Sequence, residues 1–308
     1  MYNSFYKNKF SFGIDLNISI NDYKKIIEKY KYYLSSVYFS LPFGERFHTR
    51  RLMIEEYKQK NAIEKLKEIL MLFRNNNIKL EAVINQYNIK EDELKEALYK
   101  LDNYIKVDTI CCLDEYIDII NEHYNNDMYL ISSFNNRTIH EDSIYNINNK
   151  YDMIVLGREF LREPDLIKKV KRRGFDIKLL INNGCSFNCR TCRYGGEECV
   201  QVFKSNLKKF NIEELYAMQS FFPWELYRLM ESFKDENIIN EIKISSRPST
   251  FEYLNDCLKS YIFDEDEKIY IVKNEKKYHL YGRQANLIPY YNYLNIDNVE
   301  RIKKSLWE

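Results

Sequence analysis

Residues 153–181 read MIVLGREFLREPDLIKKVKRRGFDIKLLI. Met153–Leu156 is a short apolar run of strand length. Leu166–Arg173 follows as a helical pattern, and Gly174 stops it, since glycine takes the backbone angles that end helices without steric cost. Ile177–Ile181 is apolar again. Strand, helix and strand in this order make a βαβ unit with parallel strands.

The same alternation runs in both directions. Upstream, Phe10–Leu16 reads as a first strand, and Asp22–Leu34 as a helix with Ile26, Ile27 and Tyr30 on one face. Ser36–Leu41 is a second strand, ending in a long polar loop over 42–51. Ala62–Phe73 repeats Ile63, Leu66, Ile69 and Leu70 at helical spacing, before a strand at Lys79–Ile84 and a helix at Glu91–Leu101. Val107–Cys112 and Met128–Ser132 are the fourth and fifth strands, separated by a helix at Glu115–His123. Downstream, Ile212–Met218 and Trp224–Phe233 are helical, Glu241–Ser245 is an eighth strand, and Phe251–Tyr261 is its closing helix. Eight strands with intervening helices predict an α/β fold of the (β/α)8 TIM type over residues 9–262, a size suited to about 250 residues. Residues 263–308 read as a C-terminal extension, with a short hairpin (269–272 and 278–281) and a tail ending in a helix.

In 308 residues, 47 Lys and Arg stand against 46 Asp and Glu. That balance gives no case for a surface built to grip a phosphate backbone. The cluster Lys168, Lys169, Lys171, Arg172 and Arg173 reads as the solvated face of a helix. No apolar leader and no run of eighteen apolar residues is present, so a cytoplasmic protein without membrane contact is expected. Seven cysteines in a reducing compartment point to metal binding or buried thiols.

Four of the seven lie within fifteen positions, directly after the seventh strand: Cys185, Cys189, Cys192 and Cys199. Thiolates are soft ligands that suit iron–sulfur clusters or zinc. Gaps of three and then two residues let one loop wrap three corners of a cubane, and Gly184, Gly195 and Gly196 allow the sharp turns this needs. Cys199 is the nearest fourth ligand. Cys257 lies in a helical pattern and reads as a small core residue, and Cys111 and Cys112 end a strand, where at most one can face the barrel interior. Structural zinc is the alternative, although it usually draws on paired C-x-x-C knuckles and only Cys189 and Cys192 form one.

The C-x3-C-x2-C gaps are similar to those of radical S-adenosylmethionine (SAM) enzymes, but Cys185 follows a late strand rather than an early one, and Thr191 replaces the usual aromatic residue. A closer likeness covers more of the chain. Leu180–Cys189 (LINNGCSFNC) resembles the "NxGC…NC" segment of the collagenase-like peptidase U32 superfamily. Ser220–Leu226 (SFFPWEL) is similar to that family's Ser/Pro/Trp stretch, and Lys243–Arg247 (KISSR) to its "KIxGR" strand end, with Ser246 for the usual glycine. Gly157–Glu163 sits where the family has an Arg-containing turn. The likeness spans residues 10–262. It implies a barrel with an oxygen-labile [4Fe-4S] cluster. Some relatives are labelled proteases, while others resemble oxygen-independent hydroxylases acting on nucleobases or a quinone precursor.

Peptide hydrolysis finds little support in the residues. His140-Glu141 begins like a zinc-protease motif, but Ile144 stands where the second histidine is needed, and no G-x-S-x-G elbow occurs. Barrel active sites gather at the carboxyl ends of the strands. Those ends hold Asp15, Asn85, Lys243 and Arg247 as candidate catalytic residues, with Asp15 either a proton acceptor or a cap for the next helix. Asn17, Ser133, Asn135, Arg137, Arg158, Asn182 and Asn183 are candidate substrate-binding residues. The set suits an anionic or carbonyl-bearing ligand. The expected partner is a small molecule, nucleobase or peptide substrate. The alternatives are a radical SAM enzyme, or a non-catalytic zinc- or cluster-stabilised subunit that contacts a protein partner through residues 263–308.

Overall fold

A computed structural model of the chain describes residues 6–44, 47, 57–136, 145–157, 160–182, 197–234, 236–245, 250–263 and 294–308. Eight parallel strands close into a barrel in sequence order. They are β1 (Phe10–Gly13), β2 (Leu34–Ser40), β3 (Lys79–Ile84), β4 (Thr109–Cys112), β5 (Tyr129–Ser132), β6 (Met153–Leu156), β7 (Asp176–Leu180) and β8 (Glu241–Ile244). The last strand pairs with the first through Phe10↔Ile242, Ser11↔Lys243 and Phe12↔Ile244, which leaves no edge exposed. The expected TIM-type barrel is the observed fold.

The helices are α1 (Ile20–Tyr30), α2 (Ala62–Arg74), α3 (Glu91–Tyr104), α4 (Ile117–His123), α5 (Pro164–Arg172), α6 (Glu197–Leu207), α7 (Ile212–Gln219), α8 (Pro223–Ser232), α9 (Phe251–Phe263) and α10 (Ile296–Ser305). Helix α1 starts two residues before the expected Asp22 because the Ser19 hydroxyl accepts the Asp22 N–H at 3.1 Å and caps it. It also ends earlier, since Leu34 already belongs to β2. On α5, Lys168 and Lys171 pair with Glu236 (2.9 Å) and Asp176 (2.8 Å), so the basic run is a salt-bridged outer face. No helix among the described residues is long and apolar enough to cross a membrane.

Tight turns rely on asparagine. Asn8, Asn61, Asn77, Asn88, Asn125 and Asn126 all hold φ between 52° and 62°. Asparagine tolerates this left-handed region better than other residues with a Cβ, because its short amide can bond locally. A chain with only 8 glycines thus still makes the reversals a barrel requires.

Strand alternation sorts the core. Phe10, Phe12, Val37, Phe39, Ile110, Ile154, Leu179 and Ile242 are buried in the main cluster beneath the helices. Tyr38, Val83, Cys111, Ile131, Met153, Val155 and Leu180 form a separate cluster in the lumen. Two residues before Val83 and Leu180, on the same inward register, stand Glu81 and Lys178, both fully buried. Lys178 Nζ donates to Glu81 and to Glu241, and Lys243 Nζ lies 3.3 Å from the other oxygen of Glu81. Ser35 and Ser36 of β2 each donate to Glu241 at 2.9 Å. Two carboxylates and two ammonium groups thus neutralise one another inside the barrel.

Burial pushes the Glu81 carboxyl up, but Lys178 and Lys243 outweigh it and hold the group below the ordinary carboxylate range. Burial likewise works against a charged Lys178, and Glu241 and Glu81 overcome it and raise the ammonium's pKa. Removing one member leaves an unpaired buried charge, which costs about 3–5 kcal/mol. Because the folded-state pKa of Glu81 is depressed, its contribution is present above the unfolded carboxylate range, at about pH 4, and is lost as pH falls through the folded value. Glu81→Gln is therefore expected to lower stability by about 3–5 kcal/mol at pH 7 and to flatten the loss of stability in acid. Urea unfolding at a series of pH values checks both. An unchanged acid slope would assign the acid sensitivity elsewhere.

Candidate functional site at the carboxyl end of the barrel

Strand β7 leads from the barrel into the cysteine-bearing segment, and Asn182 fixes the point of departure. Its Oδ1 accepts the Ser245 N–H at 2.5 Å, while its Nδ2 donates to the Ser245 carbonyl at 3.3 Å and the Tyr253 hydroxyl at 3.1 Å. One amide thereby ties the carboxyl ends of β7 and β8 to α9. This is the work the side chain does here, beside the substrate contact expected of it. Asn183, Cys185, Cys189 and Cys192 lie outside the described residues, as do Arg137, Arg158 and Arg247. Cys199 falls in the first turn of α6.

The other three cysteines are accounted for. Cys111 faces the lumen and Cys112 the outer core, as two successive residues of one strand must. Burial pushes the Cys111 thiol up to about 11, with the Lys243 charge opposing it, and burial likewise raises Cys112 well above the ordinary thiol range. Both are protonated at neutral pH and poor ligands. Cys257 is fully buried within α9 in the main core. Among the described residues no group of three or more His, Cys, Asp or Glu is arranged to hold a metal.

Around the same rim, Asp15 follows β1 and is fully buried. Its carboxylate accepts the Asn17 N–H at 2.9 Å and closes its own turn. Capping of α1, one of the two roles expected of Asp15, belongs to Ser19 instead, because Ser19 is the residue adjoining the helix. Asn85 follows β3, half-buried. Ser133 is buried, and its N–H donates to the Cys112 carbonyl at 2.9 Å. Asn135 lies in the short 3-10 turn Phe134–Asn136. Lys243 points into the lumen with Glu81 on one side and the Tyr38 ring 3.9 Å from its ammonium, a cation–π contact. Its side chain keeps 12% of its surface exposed, whereas Lys178 below it keeps none. It is the lumen cation that solvent reaches.

Several residues that shape this face carried no signal of their own. Asn136 bridges three elements: Nδ2 donates to the Cys112 carbonyl (3.2 Å), Ser132 Oγ (3.0 Å) and the Tyr151 hydroxyl (2.8 Å), and Oδ1 accepts the Asp114 N–H (3.0 Å). Glu81, Lys178 and Glu241 were missed as lumen charges. A charged residue at inward register within an apolar strand, as in Lys79–Ile84 (KLEAVI) and Asp176–Leu180 (DIKLL), is the mark by which they could have been found.

No protein-family model and no curated protein matches the sequence. Among solved structures, the barrel is similar to that of the U32 peptidase Mk0906, with a TM-score of 0.45 and 9% identity over 77% of this chain and 92% of that one. It is similar also to PbGH5A, a glycoside hydrolase family 5 enzyme from Prevotella bryantii, with a TM-score of 0.43 and 8% identity over 100% and 98% of the two chains. A monomeric dihydrodipicolinate synthase variant matches with a TM-score of 0.39 and 8% identity over 99% of each.

Gly157, at the end of β6, supports this face by its lack of a side chain. A Cβ there would collide with Cε2 of Phe134, whose ring packs on the lumen cluster. Gly157→Ala is expected to displace that ring and lower stability by about 1–3 kcal/mol. Adding Phe134→Leu should recover part of the loss. Denaturation of the single and double variants checks this, and simple additivity would show that the two residues do not compete for the space.

Proposed function

We propose that this chain is an iron–sulfur enzyme of the U32 type. It carries a [4Fe-4S] cluster on Cys185, Cys189, Cys192 and Cys199, and performs an oxygen-independent, hydroxylase-type modification of a small molecule, nucleobase or peptide in the cytoplasm. The observation that carries this reading is the position of the thiol-rich segment. It leaves β7 at the carboxyl end of a closed barrel, the face on which barrel enzymes assemble their reactive groups. The donor chemistry fits. Three thiols sit between Asn182 and α6 and a fourth in the first turn of α6, and the three buried thiols elsewhere do not compete as ligands.

A bound cluster would supply electron transfer and a Lewis-acidic iron at the barrel mouth. The protein's own contribution is to bind and orient. Lys243, together with Arg158 and Arg247, would hold an anionic group of the substrate. The amides of Asn17, Asn85, Asn135 and Asn183, the Ser133 hydroxyl and the Arg137 guanidinium would orient its carbonyls, and Asp15 is the candidate proton acceptor.

Anaerobic purification with metal and sulfide analysis tests the reading. About four irons and four sulfides per chain are expected, with a brown chromophore. Cys185→Ser, Cys189→Ser and Cys192→Ser should each abolish it. Stoichiometric zinc without a chromophore would overturn the proposal in favour of a structural zinc site. A cluster that needs only three of the cysteines, and whose spectrum shifts on adding S-adenosylmethionine, would replace it with a radical SAM enzyme.

A further inference from the structure

A second apolar core stands apart from the barrel. Phe203 of α6, Leu215, Tyr216 and Ala217 of α7, Phe222 and Val299 of α10 form it. These residues come from two distant stretches: the helices that follow the cysteine segment and the last helix described. Helices α6 and α7 span 11 and 8 residues, too short to hold their form without docking.

Beside this core lies a buried ionic clasp. Glu225 is fully buried at the start of α8. Arg162 Nε donates to its Oε1 at 2.7 Å, Lys303 Nζ to its Oε2 at 2.7 Å, and Trp307 Nε1 to Oε1 at 3.0 Å. Burial would raise the Glu225 pKa, but Lys303 and Arg162 outweigh it and keep the carboxylate charged. The same two cations close the carboxyl end of α7. Lys303 Nζ donates to the carbonyls of Ala217 (3.1 Å) and Ser220 (2.6 Å), and Arg162 Nη2 to the same two at 3.1 and 2.8 Å. Unpaired carbonyls at a helix end attract cations, so α7 is completed by side chains that it does not itself carry.

We infer that residues 197–222 and 294–308 form one folding unit, locked by Lys303, Glu225 and Arg162, and that the C-terminal helix thereby holds the exit end of the cysteine segment. Lys303 and Val299 are positioning residues. The folding unit stands on the geometry alone; its bearing on metal retention rests on the function proposed above.

Hydrogen exchange on the full-length, metal-free protein tests the unit. In Lys303→Met and in Val299→Asp, exchange in 201–219 and 296–305 is expected to rise together by about tenfold or more, with the strand segments 10–13, 79–84 and 241–244 unchanged. Lys304→Met, on the exposed side of the same helix, should change nothing, and Lys303→Arg should restore most of the protection. A rise confined to 296–305, or an equal rise in the barrel strands, would overturn the inference. The unsubstituted protein supplies a measurement that needs no variant. In increasing urea the two segments should open at a common midpoint, and separate midpoints would overturn the inference. In metal-loaded protein, Lys303→Met should lose iron to a chelator several-fold faster than Lys304→Met. If no iron binds, the proposed function fails while the exchange result still decides the unit.

Discussion

The barrel depends on charges that meet only when its strands are in register. Glu81 of β3 must reach Lys178 of β7 and Lys243 of β8, while Glu241 of β8 must reach Lys178 and the hydroxyls of β2. These contacts join four strands across the lumen, including the pair β7 and β8 whose closure on β1 completes the circle. A one-residue slip in any of them turns an ionised group to the other face of the sheet and leaves its partner buried and unpaired. An apolar lumen of the same volume would gain more from burial, yet it would tolerate such slips far better. The penalty for wrong pairing therefore lies in the charges, and the apolar residues above them supply bulk.

The same arrangement sets what the barrel mouth can offer a ligand. Lys178 is shared by two carboxylates and shielded completely, so it is structural. Among the described residues Lys243 has one carboxylate partner, at 3.3 Å, with an aromatic face beside it, and it retains some exposure. Of Lys178 and Lys243, the one nearer the carboxyl ends of the strands is the one that keeps exposed surface.

How far this was legible in the sequence depended on the length scale of the signal. Apolar runs alternating with helical periods made the eight strands visible, because burial on both faces of a parallel sheet forces that pattern. Boundaries moved by a few residues where a local bond, such as the Ser19 cap, outweighed periodicity. Cys257 reads correctly as core because its neighbours in Phe251–Tyr261 are apolar at helical spacing. Lys243 stood out as a strand-end cation, but its pairing with Glu81 and the roles of Lys178 and Glu241 were not foreseen, since the partners lie 63 to 162 positions apart. The clasp was hidden for the same reason: Arg162, Glu225 and Lys303 fall in three separate stretches. Two of these, Gly157–Glu163 and Ser220–Leu226, carry part of the family resemblance, and in the structure they touch through Arg162 and Glu225.

The placing of the cysteine-bearing segment follows from the two frameworks together. Its entry is pinned where Asn182 ties β7 to β8, and its exit begins a helix that belongs to the second core. Bringing the ends of a free loop of this length to fixed points costs about 2 kcal/mol in chain entropy. Here folding of the barrel and docking of α10 meet that cost without any ligand. The two ends of the segment thus rest on the ionic barrel and on helices clasped by C-terminal residues far away in sequence, and on the function proposed above those residues support the site.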